Sequence, residues 1–346
     1  MAAVILNEWR PLCGAKHLHT QDSISISVMK LIRGLHHLKH YRCRQGCVAT
    51  IGNFDGLHLG HRHVIGQVQA AAQAAGLSSV AMVFEPQPSE YFLGARAPGR
   101  LMTLADKLEG LRGWGMDAVL CVRFDRDFAE QAPMAFIQTV LVDGLRVRHL
   151  VIGDDFRFGR GRAGDFALLN RCGERLGYSV DRACGVTEGG LRVSSTHIRA
   201  ALAAGDVELA ARLLGRPFAI RGRVAYGRQL GRTLGFPTAN IALRRMVSPL
   251  SGVFAVEVDG IGAASLPAVA NIGPRPTVNG EALRLEVHIL DFAGDLYGRR
   301  LSVRPVHKLR EVQTFAGLAA LQAQIAADAV QARAFFNESQ ADGLRG

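Results

Sequence analysis

The sequence predicts an α/β fold in two modules: a parallel β-sheet with helices on both faces, then a small antiparallel β-barrel followed by one helix. From residue 48 onward, short apolar runs alternate with segments of helical periodicity, which is the pattern of repeated β-α units. After residue 215 the helical periodicity stops, and short strand-like segments separated by Gly and Pro follow, as in small barrels. A single helical pattern near the C-terminus completes the prediction.

The predicted elements follow in chain order. In the first module we predict strands at residues 48–51, 80–84, 118–122 and 150–152. Its predicted helices lie at residues 62–75, 103–111, 133–142, 166–176, 195–204 and 207–214. In the second module we predict strands at residues 218–225, 253–258, 268–272, 283–290 and 301–306, and a helix at residues 318–336. The pattern changes at the Gly-Arg-Pro of residues 215–217, which predicts the boundary between the modules.

Composition and charge favour a cytoplasmic protein that handles small molecules. No apolar run approaches the roughly 18 residues of a membrane span, and the apolar stretch at residues 2–6 is too short for a secretory signal. The six cysteines form no CxxC pair, which indicates free thiols. The net charge is +11, but residues 1–46 hold seven Lys/Arg against two acids, and no basic stripe interleaves with aromatic residues. We therefore expect no nucleic-acid or membrane partner, and the oligomeric state stays open.

The segment IGNFDGLHLGH, at residues 51–61, predicts a phosphate-binding turn between the first strand and the first helix. Its glycines let the backbone turn sharply, and the helix N-terminus presents free N–H groups to an anion. The alternatives are ordinary histidines or a metal site, but no third nitrogen or sulfur ligand lies nearby in the sequence. The turn also lacks the Gly-Lys-Ser/Thr ending of a Walker A loop. Its candidate residues are Gly52, Asn53, Phe54, His58 and His61.

The order strand, glycine turn, HxGH, helix resembles the nucleotidyltransferase superfamily, whose Rossmann-like domain carries a second phosphate-binding motif near its end. VSSTHIR, at residues 193–199, resembles the ISSTxIR form of that motif. The motif places a run of hydroxyls at a helix N-terminus and Arg199 one helical turn later. Together these groups form a second site that can bind an anion. Alone it would be an ordinary N-cap. Together with HxGH, it makes Ser195, Thr196 and Arg199 candidate phosphate ligands.

Two further segments end predicted strands, at the edge where open α/β sheets bind ligands. GDDFRFGRGR, at residues 153–162, offers Asp155 as an orienting group. Its three arginines can clamp phosphates or form a solvated loop. FEPQP, at residues 84–88, is either a wall for an aromatic ligand or a rigid connecting turn.

The segment GRQLGRTLGFPTAN, at residues 227–240, predicts a different ATP site on the barrel. A glycine-rich loop can fold over phosphates, and the Thr and Asn at its end offer oxygens that suit Mg²⁺. Glu286 lies between apolar neighbours on a predicted strand, as either a structural ion-pair partner or a general base. The candidate ATP- and Mg²⁺-binding residues are Gly231, Arg232, Gly235, Pro237, Thr238 and Asn240.

With NIGPRPT (residues 271–277), LEVHILDF and DLYG (residues 295–298), these motifs resemble the riboflavin kinase barrel. Behind an HxGH module, the chain from residue 29 onward resembles the bacterial bifunctional riboflavin kinase/FAD synthetases. The resemblance implies that riboflavin is phosphorylated to FMN by MgATP, and that FMN is adenylylated to FAD. It also implies that Glu286 is the base, that Thr238 and Asn240 bind the metal and phosphates, and that Arg310 lies on the flavin side. Pro274 and Val278 depart from the family pattern and are expected to reshape the flavin end.

The change of pattern at residues 215–217 and the resemblance together predict modules at 29–215 and 216–340, because family members begin near residue 29. Residues 1–28 are then a disordered extension or a misassigned start. One alternative is a different HxGH transferase, such as a cytidylyl or pantetheine-phosphate adenylyl enzyme, but those enzymes have no use for a second ATP site. A basic nucleic-acid binder with an OB-like barrel, or a flavin-sensing regulator, is the other alternative. The sequence has no helix-turn-helix pattern that would favour it.

Overall fold

The computed structural model describes residues 29–39, 41, 45–226, 236–243, 248–277 and 280–343. Within those residues, a parallel sheet forms the first module, as predicted, and it has six strands where four were predicted. The strands are β1 Lys30–Arg33, β2 Cys47–Ile51, β3 Ser78–Glu85, β4 Ala118–Arg123, β5 Val147–Gly153 and β6 Ser179–Ala183. Their order across the sheet is β1-β4-β3-β2-β5-β6. β2 and β5 are therefore neighbours, and their carboxyl ends meet at one edge.

The helices of the first module are α1 Leu59–Ala75, α2 Pro88–Leu93, α3 Leu104–Gly113, α4 Arg126–Ala129, α5 Pro133–Phe136, α6 Phe166–Leu176, α7 Ser195–Ala204 and α8 Val207–Leu214. The predicted helices begin and end within three residues of their predicted bounds, except the helix at 133–142, and two short helices, α2 and α4, were not predicted. One prediction needs correction: the helix expected over residues 133–142 is α-helical only in α5 and continues as a π-helix over Ile137–Gly144. In the described part of the chain, no helix is both long and apolar enough to cross a membrane.

Helices cover both faces of the sheet, which confirms the predicted layering. Ile65 of α1 and Leu111 of α3 belong to the apolar cluster on one face. Ile137 and Leu169 belong to the cluster on the other face. All four side chains are at most 1% exposed, as expected for an interior packed on two sides.

The second module is a closed antiparallel barrel, also as predicted. Its strands are β9 Ile220–Ala225, β10 Ala239–Ala242, β11 Gly252–Asp259, β12 Leu266–Thr277, β13 Gly280–Ile289 and β14 Arg300–Arg310. They close in the order β10-β13-β12-β11-β14-β9. The C-terminal helix α9, Leu318–Gly343, packs Ala329 and Ala332 against the outside of the barrel, where they meet Val253 and Val269.

Several short strands were not predicted. They are β1, β6, β10 and the hairpin formed by β7 (Thr187–Glu188) and β8 (Leu191–Arg192). β1 is an edge strand of four residues, and only Ile32 is buried in it. An edge strand needs little apolar surface, because its outer side faces solvent, so local sequence carries almost no signal for it.

The two modules share one apolar core. Leu202 of α7 and Leu213 of α8 belong to the same buried cluster as Phe254 and Leu285 of the barrel. An ion pair also crosses between the modules, from Arg300 of β14 to Asp106 of α3, at 2.9 Å. α7 and α8 therefore connect the HxGH region to the barrel, and the boundary in the sequence is not a boundary in packing.

Candidate active sites

The HxGH turn has a backbone conformation that few residues adopt. Phe54 and Leu57 have φ angles of 46° and 44°, in the left-handed region that is unfavourable for such side chains. Both side chains are only 2% exposed, so packing holds them in place. α3 lies directly beneath the turn, because a Cβ added at Gly110 would be 2.3 Å from Cδ1 of Leu57.

His58 caps α1 in place of the Ser, Thr or Asp that is usual at this position. Its Nδ1 accepts a hydrogen bond from the backbone N–H of His61 at 3.3 Å. Because Nδ1 is the acceptor, we assign the proton of the neutral ring to Nε2. The rings of His58 and His61 stack with their centroids 3.6 Å apart.

Burial keeps both histidines neutral. It lowers the pKa of His58 from 6.5 to about 4, and the Arg199 guanidinium contributes to the fall. Burial lowers the pKa of His61 well below 6.5, and His58 and Lys107 act in the same direction. The two rings therefore offer N–H donors to a phosphate, and not positive charges. The buried Nδ1 of His61 has no hydrogen-bond partner within the described residues, which indicates a position for a ligand or water.

Asp55 joins the HxGH turn to the VSSTHIR motif, which lies about 140 residues later. Ser195 Oγ donates to the Asp55 carbonyl oxygen at 2.8 Å, and Arg199 Nη2 donates to the Asp55 carboxylate at 2.5 Å. The carboxylate also accepts from the backbone N–H of Leu101, at 3.1 Å. No role was predicted for Asp55, although it lies inside the HxGH segment. The hydroxyl of Ser195 therefore donates its proton to the HxGH turn. The side chain of Thr196 is exposed.

All nine predicted transferase residues line one cleft of about 640 Å³. They are Gly52, Asn53, Phe54, His58, His61, Asp155, Ser195, Thr196 and Arg199. The lining also includes Gln87 and Arg192, and no role was predicted for Arg192. Arg192 forms an ion pair with Asp154 at 2.8 Å, and the buried Nε2 of Gln87 has no partner within the described residues. Gln87 belongs to the FEPQP segment that was proposed as a wall.

The arginines of the GDDFRFGRGR loop do not line this cleft. Arg157, Arg160 and Arg162 are all exposed and are absent from its lining. Of the two interpretations of this loop, the structure favours the solvated one. Asp155, at the start of the same loop, does line the cleft.

A row of aromatic rings extends from this cleft to the surface. Phe156 lines the cleft and stacks on Phe158, with the ring centroids 5.7 Å apart. The row continues through further close ring contacts between Phe136, Phe128, Phe84, Phe124, Tyr91 and Phe92. Phe92, at its outer end, is 64% exposed. The rings follow the carboxyl ends of β3, β4 and β5, which is the ligand-binding edge of the sheet.

On the barrel, three polar residues share one register. Glu286 of β13 pairs with Asn240 of β10 on one side and with Asn271 of β12 on the other. Side chains at the same register point to the same face of a sheet. Leu285 and Val287, which flank Glu286, are fully buried in the barrel core, so the three polar side chains point outward. Asn271 lies in the NIGPRPT segment but received no role from the sequence.

Pro237 and Thr238 line a second cleft, of about 600 Å³, together with Asp295 and Tyr297 of the DLYG segment. The His288 ring donates through Nδ1 to the Pro237 carbonyl oxygen at 3.0 Å, which ties this segment to β13. Asn240 and Glu286 are not among the lining residues. The predicted loop residues Gly231, Arg232 and Gly235 lie outside the described residues, and so does Val278.

Arg310 is engaged by the C-terminal helix. It donates two hydrogen bonds to Asp328 of α9, at 2.8 and 2.7 Å, and Asp328 is only 2% exposed. Gln324 donates to the same carboxylate at 2.9 Å. The pair ties β14 to α9, and the flavin-side role of Arg310 stays a prediction.

Comparisons with known proteins match both modules. The FAD synthetase family model matches residues 40–197, and the riboflavin kinase family model matches residues 214–336. The chain is 54% identical over 308 residues to a bifunctional riboflavin kinase/FMN adenylyltransferase of Escherichia coli (strain K12), covering 89% of this chain and 98% of that protein. A relative of the same description from Pseudomonas fluorescens is 52% identical, with coverages of 88% and 97%. One from Haemophilus influenzae is 47% identical, with coverages of 89% and 100%.

A solved structure has the same two-module arrangement. A Streptococcus pneumoniae crystal structure, described as a macrolide-efflux protein, matches with a TM-score of 0.74 at 29% sequence identity. The match covers 88% of this chain and 99% of that chain. The sheet module and the barrel module therefore recur together in it.

Proposed function

The chain belongs to the family of bifunctional riboflavin kinase/FMN adenylyltransferases, and on that premise we propose which of its residues carry each reaction. The enzyme phosphorylates riboflavin to FMN with ATP, and then transfers an adenylyl group from ATP to FMN to give FAD and pyrophosphate. One observation carries the residue assignment: Asp55 joins the HxGH turn and the VSSTHIR motif around a single cleft.

In the adenylyl transfer, we assign the phosphates of ATP to the cleft between the turn and α7. An oxygen of the FMN phosphate attacks the α-phosphorus, and the bond to the bridging oxygen of pyrophosphate breaks. A phosphate monoester has a second pKa of about 6, so the nucleophile is already anionic and needs no general base. This agrees with a site that offers neutral histidines and an arginine. His58 donates from Nε2, and Arg199 supplies positive charge to the transition state.

The remaining transferase residues take supporting roles in this proposal. Gly52 lets the backbone approach the nucleotide closely, and Asn53 and Asp155 orient the substrates. The exposed Thr196 hydroxyl, at the N-terminus of α7, donates to a phosphate. We place the flavin ring of FMN along the aromatic row that begins at Phe156, because stacking suits a planar aromatic ligand.

In the kinase reaction, Glu286 accepts the proton of the riboflavin 5′-hydroxyl as that oxygen attacks the γ-phosphorus. The bond between the γ-phosphorus and the bridging oxygen breaks, and ADP leaves. Its outward position beside Asn240 supports this role. Catalysis is then mainly positioning and charge stabilisation. The flavin end of this site includes Arg310 in our proposal, held in place by Asp328.

Mg²⁺ fits the oxygens of the same region. Thr238 and Asn240 offer a hydroxyl and an amide oxygen, which are suitable ligands for a hard cation that also binds phosphate oxygens. Within the described residues, no group of three His, Cys, Asp or Glu side chains forms a metal site, so the phosphates would supply most of the ligands. When bound, Mg²⁺ neutralises charge on the transferred phosphoryl group.

The assignment is tested by separating the two activities. Purified enzyme is incubated with riboflavin, ATP and Mg²⁺, and the flavins are resolved by chromatography over time. Wild-type enzyme should form FMN first and FAD second. The His61→Ala variant should stop at FMN, and loss of both products would contradict separate sites. The Glu286→Gln variant should leave riboflavin unphosphorylated yet convert added FMN to FAD. Normal phosphorylation by that variant would rule out Glu286 as the base.

We place the module boundary at residues 215–216, between the end of α8 and the start of β9. The transferase module is then 29–215 and the kinase module 216–340, and residues 1–28 lie outside the described residues. We also propose a cytoplasmic enzyme without nucleic-acid or membrane partners, because both reactions consume ATP and act on small molecules.

A further inference from the structure

Lys107 is a completely buried lysine beneath the HxGH turn. It lies on α3, its exposed fraction is 0%, and its Nζ has no hydrogen-bond partner within the described residues. It is three residues before Gly110, whose Cα faces Leu57 of the turn, and residues three apart share a helix face. Fully buried lysines are rare unless they are paired, so the burial of Lys107 requires a physical explanation.

Without Lys107, the charged groups around it would carry a net negative charge. Asp55 pairs with Arg199 at 2.5 Å, and Arg100 pairs with both Glu85 and Glu90, at 2.9 and 2.5 Å. Three carboxylates thus face two guanidiniums, which leaves one negative charge uncompensated. A protonated Lys107 makes the set neutral. Buried charges of one sign are strongly unfavourable, so charge balance favours the ammonium form.

The environment of Lys107 acts on its charge in both directions. Burial lowers its pKa below the ordinary 10.5, and the Arg100 guanidinium acts in the same direction, while Asp55 and Glu85 oppose that fall. Both histidines of the site are neutral at pH 7. Arg216 also contacts the turn, because its Nη2 donates to the Gly56 carbonyl oxygen at 2.6 Å. Arg199 and Lys107 are cations that interact with the carboxylate of Asp55.

We propose that Lys107 is a positioning residue for adenylyl transfer, a buried ammonium that shares the charge of Asp55 and so leaves Arg199 able to bind the phosphates of ATP. Lys107 does not itself contact ATP, because none of its surface is exposed. Without it, the carboxylates would repel the triphosphate, and Asp55 would bind Arg199 alone. The inference rests on the proposal that adenylyl transfer occurs in the HxGH cleft.

The Lys107→Met variant tests this role, because Met fills a similar space without the charge. We expect the KM for ATP in FMN adenylylation to rise about tenfold, since an uncompensated charge acts on the triphosphate at low effective dielectric. Riboflavin phosphorylation by the same variant should stay within twofold of wild type and serves as an internal control for folding. A KM for ATP within twofold of wild type would overturn the proposal.

The Glu85→Gln substitution separates charge from packing. The Glu85 side chain is 24% exposed, so the single variant should fold, and its KM for ATP should be unchanged or lower. In the double variant Glu85→Gln/Lys107→Met, two carboxylates again face two guanidiniums, so the set has no net charge. Its KM for ATP should return to within threefold of the wild-type value. A double variant as impaired as Lys107→Met, or a raised KM in Glu85→Gln alone, would show that charge balance is not the role.

Two controls keep the outcomes distinct. If Lys107→Met is too unstable to assay, the double variant decides, because restored balance should restore both folding and adenylylation; a double variant that also fails to fold overturns the proposal. The His61→Ala variant is assayed alongside. If it retains adenylylation, the site assignment fails, and the role of Lys107 fails with it for a different reason.

Discussion

Replacing Asp55 with Asn removes the buried charge that joins the two phosphate-binding motifs. Asp55 is 2% exposed and the Arg199 side chain is 20% exposed. Asn keeps the shape and one carbonyl oxygen, so the Leu101 N–H retains an acceptor and Arg199 loses its ionic partner. Breaking a buried pair from one side costs about 3–5 kcal/mol. Because Arg199 is partly exposed, solvent screening reduces this cost, and we expect a loss of about 2–4 kcal/mol.

The assays for Asp55→Asn are thermal unfolding and the rate of FAD formation from added FMN. A module of this size loses about 2–4 °C of Tm per kcal/mol, so Tm should fall by about 4–16 °C. Adenylylation kcat/KM should fall by about 100-fold, because a displacement of about 1 Å has that effect on a positioned group. Riboflavin phosphorylation should stay within twofold of wild type.

The matched control is Asp291→Asn, which removes an exposed Asp–Arg pair with Arg333. Exposed pairs contribute little to stability, so its Tm should stay within measurement error. A Tm within 1 °C of wild type for Asp55→Asn, together with adenylylation within threefold, would refute the reasoning. It would mean that the ion pair does not hold the two motifs together.

Three further predictions follow from named contacts. The pKa of His58 is about 4 in the folded chain and 6.5 in the unfolded chain, so between these values the unfolded chain binds a proton that the folded chain does not. The free energy of unfolding should therefore fall as the pH drops from 6.5 towards 4, and His58 should contribute about 2 kcal/mol of this loss at pH 5. Urea titrations at pH 7 and pH 5 should show a smaller loss in His58→Asn, and equal losses would contradict the assignment. Asp328→Asn removes the ionic partner of Arg310 and should lower the free energy of unfolding of the barrel by about 3 kcal/mol. It should also lower the rate of riboflavin phosphorylation, and calorimetric unfolding identical to wild type would contradict this prediction. Thr196→Ala should raise the KM for ATP in adenylylation severalfold with Tm unchanged, whereas Ser195→Ala should lower Tm through the lost hydrogen bond, by about 1 kcal/mol of stability; identical behaviour of the two would disprove their separate roles.

Much of the transferase site could be predicted from the sequence, because its signals are local. A glycine turn between a strand and a helix sets the backbone, and the helix N-terminus supplies anion-binding N–H groups. These properties depend on neighbouring residues, and all nine predicted residues line the cleft. The arginines of the GDDFRFGRGR loop show the limit. Their spacing is compatible with a phosphate clamp, but spacing alone does not say which way a loop turns.

The sequence missed residues whose roles depend on distant partners. Asp55 has an obvious place in the HxGH segment, yet its partner Arg199 lies 144 residues away. Lys107 stands in an amphipathic helix, where a lysine is usually exposed, and only packing beneath the turn reveals that it is buried. β1 and β10 are four residues each. Such short strands are defined by the neighbours that pair with them, and not by their own composition.

The sequence by itself determined the two modules, the order of their motifs and the chemistry of most side chains in the clefts, since these follow from local patterns of residue type. The tertiary structure alone decided which charges meet, which histidines are neutral and where the modules share a core. The physical reason is that ionisation depends on desolvation and on charges brought from elsewhere in the chain. Those quantities exist only once the chain has folded, and in this protein they set the electrostatics of the HxGH cleft.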